Sequence, residues 1–540
     1  GDSNADEYSD QKEPHEDHYL KKQNDNIDIH GKSMVVGTPG AKYSYKPTGF
    51  NYLPHTNGQV KTYDWDGDLD VWTLGQTIEH PDNLTEAAPQ HSEFGSSVSV
   101  DDTNGLLVIG EPSSDINDTG KSYVYRKTSG TGTYEATIDG ATVLTDGSAP
   151  STNDKKLGDR FGHYVAIDGG VIIVGAPGQD YGVGTTIQDS RINSGAVYVF
   201  EYDSVSSRWE RTQKLVNPDR DIDYDCLNEN EYEQSYFGLI CKIKGNTVVI
   251  GAPSQSLRVK NGDTSIGYVE GGGAVYIFDK SGTWSFTKAF YSRGQSSTNN
   301  GTTDSSITYT AADYNANFGA SLDFYEDNIV VGAPKKQVSS KDRAGEAYIL
   351  EKSGGTWSLK YTVTPTETFT DGSIVHLADD LFGYHVSILN EDVVLISSPK
   401  HDYGVAPLTT SNTAGVNTGA IYIFGIEGGN QVRKLVREDV VSNQFFGYNN
   451  VAFAQGCDAQ LMSLTYGKNA PQAGNILELY QYLSALPLNI RGPLESNSNV
   501  SLYTDGVVSA TGSMPLFSEG MTPINTCLLY TSDAADEEDS

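Results

Sequence analysis

Short apolar runs recur along the chain, each closed by Gly and Pro and each preceded by a stretch in which apolar and polar residues alternate. FGHYVAIDGGVIIVGAP (161–177) and FGLICKIKGNTVVIGAP (237–253) show the pattern twice. Alternation, as in Val165-Ala166-Ile167, predicts a strand with one face buried, and an unbroken run such as Val171–Val174 predicts a strand buried on both faces. A third signature follows after a variable stretch: GAVYVF (195), GAVYIF (273), GEAYIL (345), GAIYIF (419) and, more loosely, GKSYVY (120). It is aromatic and β-branched, as strands are. A fourth, more polar element often opens on Trp, as in WERTQKLV (209), WSFTKAF (284) and WSLKYTV (357).

Further copies of the first two elements start at Phe94, Phe318, Phe382 and Phe446, and a worn one, QNDNIDIHGKSMVVGTP, spans 23–39. Each unit of roughly 60–80 residues then holds four strands, and a period of that kind marks a repeat architecture. Seven units predict an all-β chain, a seven-bladed β-propeller over 21–485 with four-stranded blades. Within the motif, Gly permits close backbone approach or positive φ, Phe fills the gap between blades, and Pro ends the second strand because it cannot donate to a ladder. A recurring motif is architecture, not catalysis.

The Phe-Gly…Gly-Ala-Pro repeat resembles the FG-GAP family, known from the head of integrin α subunits and from microbial and algal surface proteins. The resemblance covers about residues 20–485 and implies a propeller that binds partners rather than one that turns over substrate. It departs from the family in one respect. Many such repeats carry a calcium loop, D-x-D-x-D-G-x-x-D, between the two halves of the motif. Here that turn is DGG (168–170), KGN (244–246), YED (325–327) or NED (390–392), with too few carboxylates for a calcium cage. The metal motif of an inserted ligand-binding domain is absent as well, so a true integrin α subunit is not expected.

Charge removes one class of function. With 37 basic against 71 acidic residues, net −34, the chain lacks the basic footprint that nucleic acid requires. No apolar run is long enough to span a bilayer. Residues 1–20 form an acidic arm that reads as flexible and as a mature N-terminus after loss of a secretion signal. Abundant Gly and Tyr, and sequons at Asn83, Asn117, Asn300 and Asn499, fit an extracellular, secreted or surface-displayed glycoprotein.

Beyond the repeats, Leu488, Leu502 and Leu516 recur with Gly492, Gly506 and Gly520 at a period of 14, predicting a β-repeat stalk that begins at 486–526. The segment 527–540, with CLLYTSDAADE, resembles a translated sequencing adapter and is read as an artefact, which places the natural continuation beyond about Thr526. Of the remaining cysteines, Cys226 and Cys241 are close enough for a disulfide, with buried thiols as the alternative, and Cys457 is left over.

The candidate chemistry is sparse. Asp221, Asp223, Asp225 and Glu229 stand at positions 1, 3, 5 and 9 of one loop, a spacing that could wrap calcium, although a solvated acidic loop is the simpler reading. DWDGDLD (64–70) reads as a hairpin turn between the third and fourth strands of the first blade, HEDH (15–18) falls short of a zinc-protease pattern, and TGKS (119–122) is the start of a third strand. Binding is better supported. The loops between second and third strands, long at 40–57, 178–194, 254–272 and 400–418, open on one rim, where recognition is usually housed. Tyr43, Tyr45, Tyr52, Tyr181, Tyr268 and Tyr403 could offer aromatic platforms there. The shared DYGV at Asp180 and Asp402 is either a paired ligand contact or a turn kept from duplication, the turn being favoured. The expectation is a non-enzymatic adhesion or assembly protein that binds an extracellular protein partner or itself and requires no cofactor. A glycan-binding module, with calcium assistance, is the alternative. A propeller hydrolase or lyase stands third, since fold does not fix function.

Overall fold

The computed structural model describes residues within 26–517. Residues 1–25 and 518–540, several short turns and the larger loops (44–54, 82–92, 143–157, 181–192, 220–233, 298–312, 367–377, 405–412, 438–444, 454–459, 467–474, 482–499 and 504–515) lie outside the described set. Among the described residues every regular element of length is a strand, and the strands group into sheets, antiparallel but for one pair, mostly in sequence order from innermost to outermost.

The third blade shows the plan. Tyr164–Asp168, Val171–Ala176, Ala196–Asp203 and Arg208–Val216 pair as four neighbouring strands. The unbroken run Ile172, Ile173 and Val174 is wholly buried, as a strand covered on both faces must be. Tyr198 and Phe200, alternate residues of the third strand, face the preceding blade and meet Phe161 with ring centroids 5.4 and 5.9 Å apart. Two other Phe of the motif repeat this packing; Phe237 meets Tyr276 and Phe278, and Phe382 meets Tyr422 and Phe424, while Phe318 meets Tyr348 alone. The Trp that opens the fourth strand is buried at Trp209, Trp284 and Trp357.

The Gly of the motif joins one blade to the next. Gly175 ends the second strand of the third blade, and a Cβ there would sit 2.1 Å from the carbonyl oxygen of Gly238, which begins the fourth. Gly238 itself has φ +88°, a region closed to most side chains. Just before it, Phe237 bridges in parallel to Gly195, the start of the third blade's third strand, and the same parallel bridge recurs as Gly120–Phe161, Gly273–Phe318, Gly345–Phe382 and Gly419–Phe446. The motif is therefore a joint between blades.

Six sheets follow this four-stranded antiparallel plan, not the seven expected. A further sheet of Asn449–Phe453, Gln460–Tyr466, Asn475–Gln481 and Val500–Tyr503 has its first strand against both Val386–Ile388 of the sixth blade and Ile27–His30 of the first. Its outer strand pairs in parallel, Asn475 opposite Val500. A parallel partner cannot be reached by a hairpin, so this strand comes from the tail rather than completing an ordinary blade. A second tail segment, Leu516–Phe517, pairs with the outer edge of the sixth blade at Val436 and Arg437.

The two ends of the blades are held differently. At the end bearing the tight turns between first and second strands, carboxylates reach across to the neighbouring turn. Asp168 accepts from Gly245 N at 2.7 Å and from Lys244 Nζ at 3.1 Å, Asp101 accepts from Gly170 N at 3.1 Å, and Asp102 accepts from Ser33 Oγ at 2.6 Å. Lys280 Nζ donates to Glu201 of the blade before at 2.8 Å. Further out, Gln213 takes the backbone of Trp284 in both directions, at 2.9 and 2.7 Å, and Lys288 donates to Trp357 O at 2.7 Å.

Candidate functional site

The other end carries the loops between second and third strands. In the third to sixth blades their stems are built alike. Two residues after the Pro, a backbone N–H turns back to the last residue of the second strand: Gln179 to Ala176, Gln255 to Ala252, Lys336 to Ala333 and His401 to Ser398, each at 3.1 Å. The carbonyl of that same residue accepts from the Gly that starts the third strand, at 2.8 Å for Gly195 and 3.0 Å for Gly419. Pinned at both ends, its side chain points inward.

Each of these inward side chains is buried and bonded. Tyr198 Oη donates to Gln179 Oε1 at 2.6 Å, and Asn217 Nδ2 donates to Gln255 Oε1 at 2.6 Å. Lys336 Nζ meets Asp313 and Ser292, and His401 Nδ1 lies 3.4 Å from Asp380 Oδ2. Two more buried carboxylates join this floor. Asp219 accepts from the hydroxyls of Tyr276 and Tyr291 at 2.7 and 2.8 Å. Glu111, standing where the third to fifth blades have Ala, accepts from Tyr123 Oη and lies 2.9 Å from His80 Nε2. Burial without such partners would cost about 1–3 kcal/mol per group. Sequence reasoning missed this floor, although registering the copies on Gly-Ala-Pro and reading two residues past the Pro would have exposed it.

The two Asp residues of the DYGV pair bond within their own loops. Asp180 Oδ1 accepts from Asn193 N at 3.1 Å, and Asp402 Oδ1 accepts from Asn417 N at 2.8 Å, so each carboxylate clasps the far end of its own loop. Asn193 and Asn417 both hold positive φ, 54° and 52°, which Asn tolerates. Burial, with the nearby Asp380 charge adding to it, holds the Asp402 carboxyl above the usual carboxylate range against the opposing Asn417 hydrogen bond.

Some expected rim residues lie on small hairpins within the loops. Tyr43 belongs to Lys42–Tyr43, paired with His55–Thr56; Tyr268 belongs to Ser265–Val269, paired with Leu257–Asn261; Tyr403 belongs to Tyr403–Gly404, paired with Thr413–Gly415. Tyr45, Tyr52 and Tyr181 lie outside the described residues, as do Asp221, Asp223, Asp225 and Glu229 and the sequons at Asn83, Asn117, Asn300 and Asn499. Among the described residues no group of three or more His, Cys, Asp or Glu is placed to hold a metal. DWDGDLD is flanked by Gln59–Asp66 and Val71–Glu79, which pair up to Asp66 opposite Val71.

Cys241 is a wholly buried thiol on the inner strand Ile240–Lys244, and Cys226, the other cysteine of the expected pair, lies outside the described residues. The Cys241 side chain belongs to the apolar core shared with Tyr164, Phe237 and Tyr276, and burial pushes the thiol well above its ordinary pKa despite the nearby Lys242 charge.

Along the axis, the inner strands line a cavity of about 180 Å³. Its polar groups are engaged by their neighbours. Asp28 accepts from Ser99 Oγ and Val100 N at 2.9 and 2.8 Å, and Asp323 accepts from Ser387 Oγ and Ile388 N at 3.2 and 2.8 Å. The same staple thus holds the first blade to the second and the fifth to the sixth.

Against this geometry, residues 151–200, which contain the inner two strands of the third blade and the start of its third, match the family model described as FG-GAP repeat. The chain carries an FG-GAP repeat. That segment includes Phe161, Gly162 and Gly175-Ala176-Pro177, and the remaining copies repeat its joints in the structure. No curated protein matches the sequence. Among solved structures, the chain is similar to Sqt1 of Saccharomyces cerevisiae (9% identity, TM-score 0.31, covering 82% of this chain and 94% of that one). It is similar also to a putative 6-phosphogluconolactonase of Bacteroides uniformis (9%, 0.40, 84% and 92%). A third is the periplasmic gluconolactonase PpgL of Pseudomonas aeruginosa (10%, 0.36, 77% and 86%).

Proposed function

We propose that this chain is a non-enzymatic extracellular adhesion or assembly protein whose FG-GAP propeller presents its loop rim to a protein partner, a second copy of itself included. The observation that carries this reading is the uniform stem beneath dissimilar loops. Four blades fix the residue two after the Pro by the same pair of backbone bonds, while the loops above differ in length and sequence. A rigid scaffold under variable loops is the arrangement used for recognition. The titratable groups under the rim support the non-enzymatic part, because Glu111, Asp219 and Lys336 are buried and held by protein partners. FG-GAP repeats are typical of extracellular domains, and among the described residues no helix is long and apolar enough to cross a membrane.

The test is electron microscopy of the protein isolated from its native source. Ordered filaments with a propeller-sized repeat, or propeller heads attached to a distinct protein, are expected. Isolated heads with no bound protein, in material that turns over a substrate, would overturn the reading. A glycan-binding rim is the second reading, supported by the placement of Tyr43, Tyr268 and Tyr403 on rim hairpins. Retention on immobilised glycans, compared with and without a calcium chelator, tests it.

A further inference from the structure

Two residues past the Pro, the third and fourth blades carry Gln179 and Gln255, and the sixth carries His401. The fifth carries a primary amine, Lys336. Its Nζ is in direct contact with Asp313 Oδ1 and donates to Ser292 Oγ at 2.9 Å, and Ser292 Oγ donates to the same carboxylate oxygen at 2.9 Å. The Lys336 side chain is 5% exposed and that of Asp313 0%. An ion pair sealed in this way carries a desolvation penalty for each charge. Passing the proton from the ammonium to the carboxylate turns the pair into an amine beside a carboxylic acid, both neutral. The two are then held in contact at a buried site, the condition under which proximity lowers a barrier most.

We propose that Lys336 and Asp313 join in an intramolecular isopeptide bond. The Nζ lone pair attacks Cγ of the protonated Asp313 carboxyl, forming the N–C bond and a tetrahedral centre. Ser292 Oγ, hydrogen-bonded to both groups, relays a proton from nitrogen to the departing hydroxyl. The C–O bond breaks, one water leaves, and Nζ keeps a single hydrogen. Nothing is oxidised or reduced and no co-reactant is consumed. The product replaces two buried charges with a neutral amide. It also closes a covalent ring over residues 313–336, which contain the first two strands of the fifth blade, Ser321–Tyr325 and Asn328–Ala333. The equivalent places in the third, fourth and sixth blades hold amides or an imidazole and cannot make this bond. The inference stands independently of what the rim binds.

Mass spectrometry of the full-length chain, denatured and reduced, tests it. The chain is expected to be lighter than its sequence mass by one water, and digestion is expected to release a branched peptide joining the segments that contain Asp313 and Lys336. Lys336→Arg should restore the sequence mass and give only linear peptides. Recovery of Lys336 and Asp313 from the wild-type chain in separate linear peptides overturns the proposal, and so does a lost water without the branched peptide. If Lys336→Arg does not fold, peptide mapping of the wild-type chain decides alone.

Discussion

The two ends of the propeller solve one problem by opposite means. At the tight-turn end, Asp102 and Asp168 stitch adjacent turns together through bonds that solvent partly reaches, so each such stitch contributes little, and Asp101 adds a more buried one. At the loop end, polar groups are withdrawn beneath the surface and bonded there, as with Glu111, Asp219 and Lys336. The lesson is a division of labour. A surface whose supporting polar groups lie beneath it can vary in sequence without loss of the fold, and among the described residues the loop end is built that way.

Substitutions can break this comparison in graded steps. The largest effect is expected from Glu111→Ala, which takes from His80 and Tyr123 the buried carboxylate they share and should cost about 1–3 kcal/mol for each of the two bonds lost, read by denaturant unfolding. Next, Gly175→Ala forces a methyl group against the Gly238 carbonyl oxygen and should cost about 1–3 kcal/mol or more, read by the same unfolding curves. At the opposite end, Asp168→Ala removes the bonds to Gly245 N and Lys244 Nζ and should cost only about 1 kcal/mol. A loss at Asp168 equal to that at Glu111 would erase the distinction between the ends.

The smallest effect sharpens the comparison through pH. The Asp402 carboxyl is held above its ordinary range, mainly by burial and further by Asp380, so the fold binds this proton more tightly than the unfolded chain does. Its contribution favours folding in acid and is lost as pH rises through the raised pKa. Asp402→Asn keeps an acceptor for Asn417 N but removes the charge. The variant should match the wild type in acid and melt slightly higher at neutral pH, as scanning calorimetry across that range would show. A variant that melts lower at neutral pH would mean the clasp needs the charge.

Much of the fold was legible because the motif is a joint and joints tolerate little change. Phe237 must meet Tyr276 and Phe278, and Gly175 must clear Gly238, so residue identities persist and the period can be read. The six ordinary blades follow from that. The last sheet misled because its apolar strands look like those of the others, whereas the origin and direction of its outer strand are set by a tail pairing that no local pattern encodes. The burial of Cys241 follows from the alternation of its inner strand, which turns its side chain into the core. The floor beneath the rim stayed hidden because Gln179, Gln255, Lys336 and His401 share a place and not a chemistry.

The parallel bridge from Gly195 to Phe237 runs between consecutive blades, not within one. What duplication copies in such a chain is therefore not a self-sufficient sheet but a sheet together with its docking half for the next. A unit inserted into or removed from the ring arrives or leaves with both connectors matched, and blade number can drift during descent while every interface keeps its form.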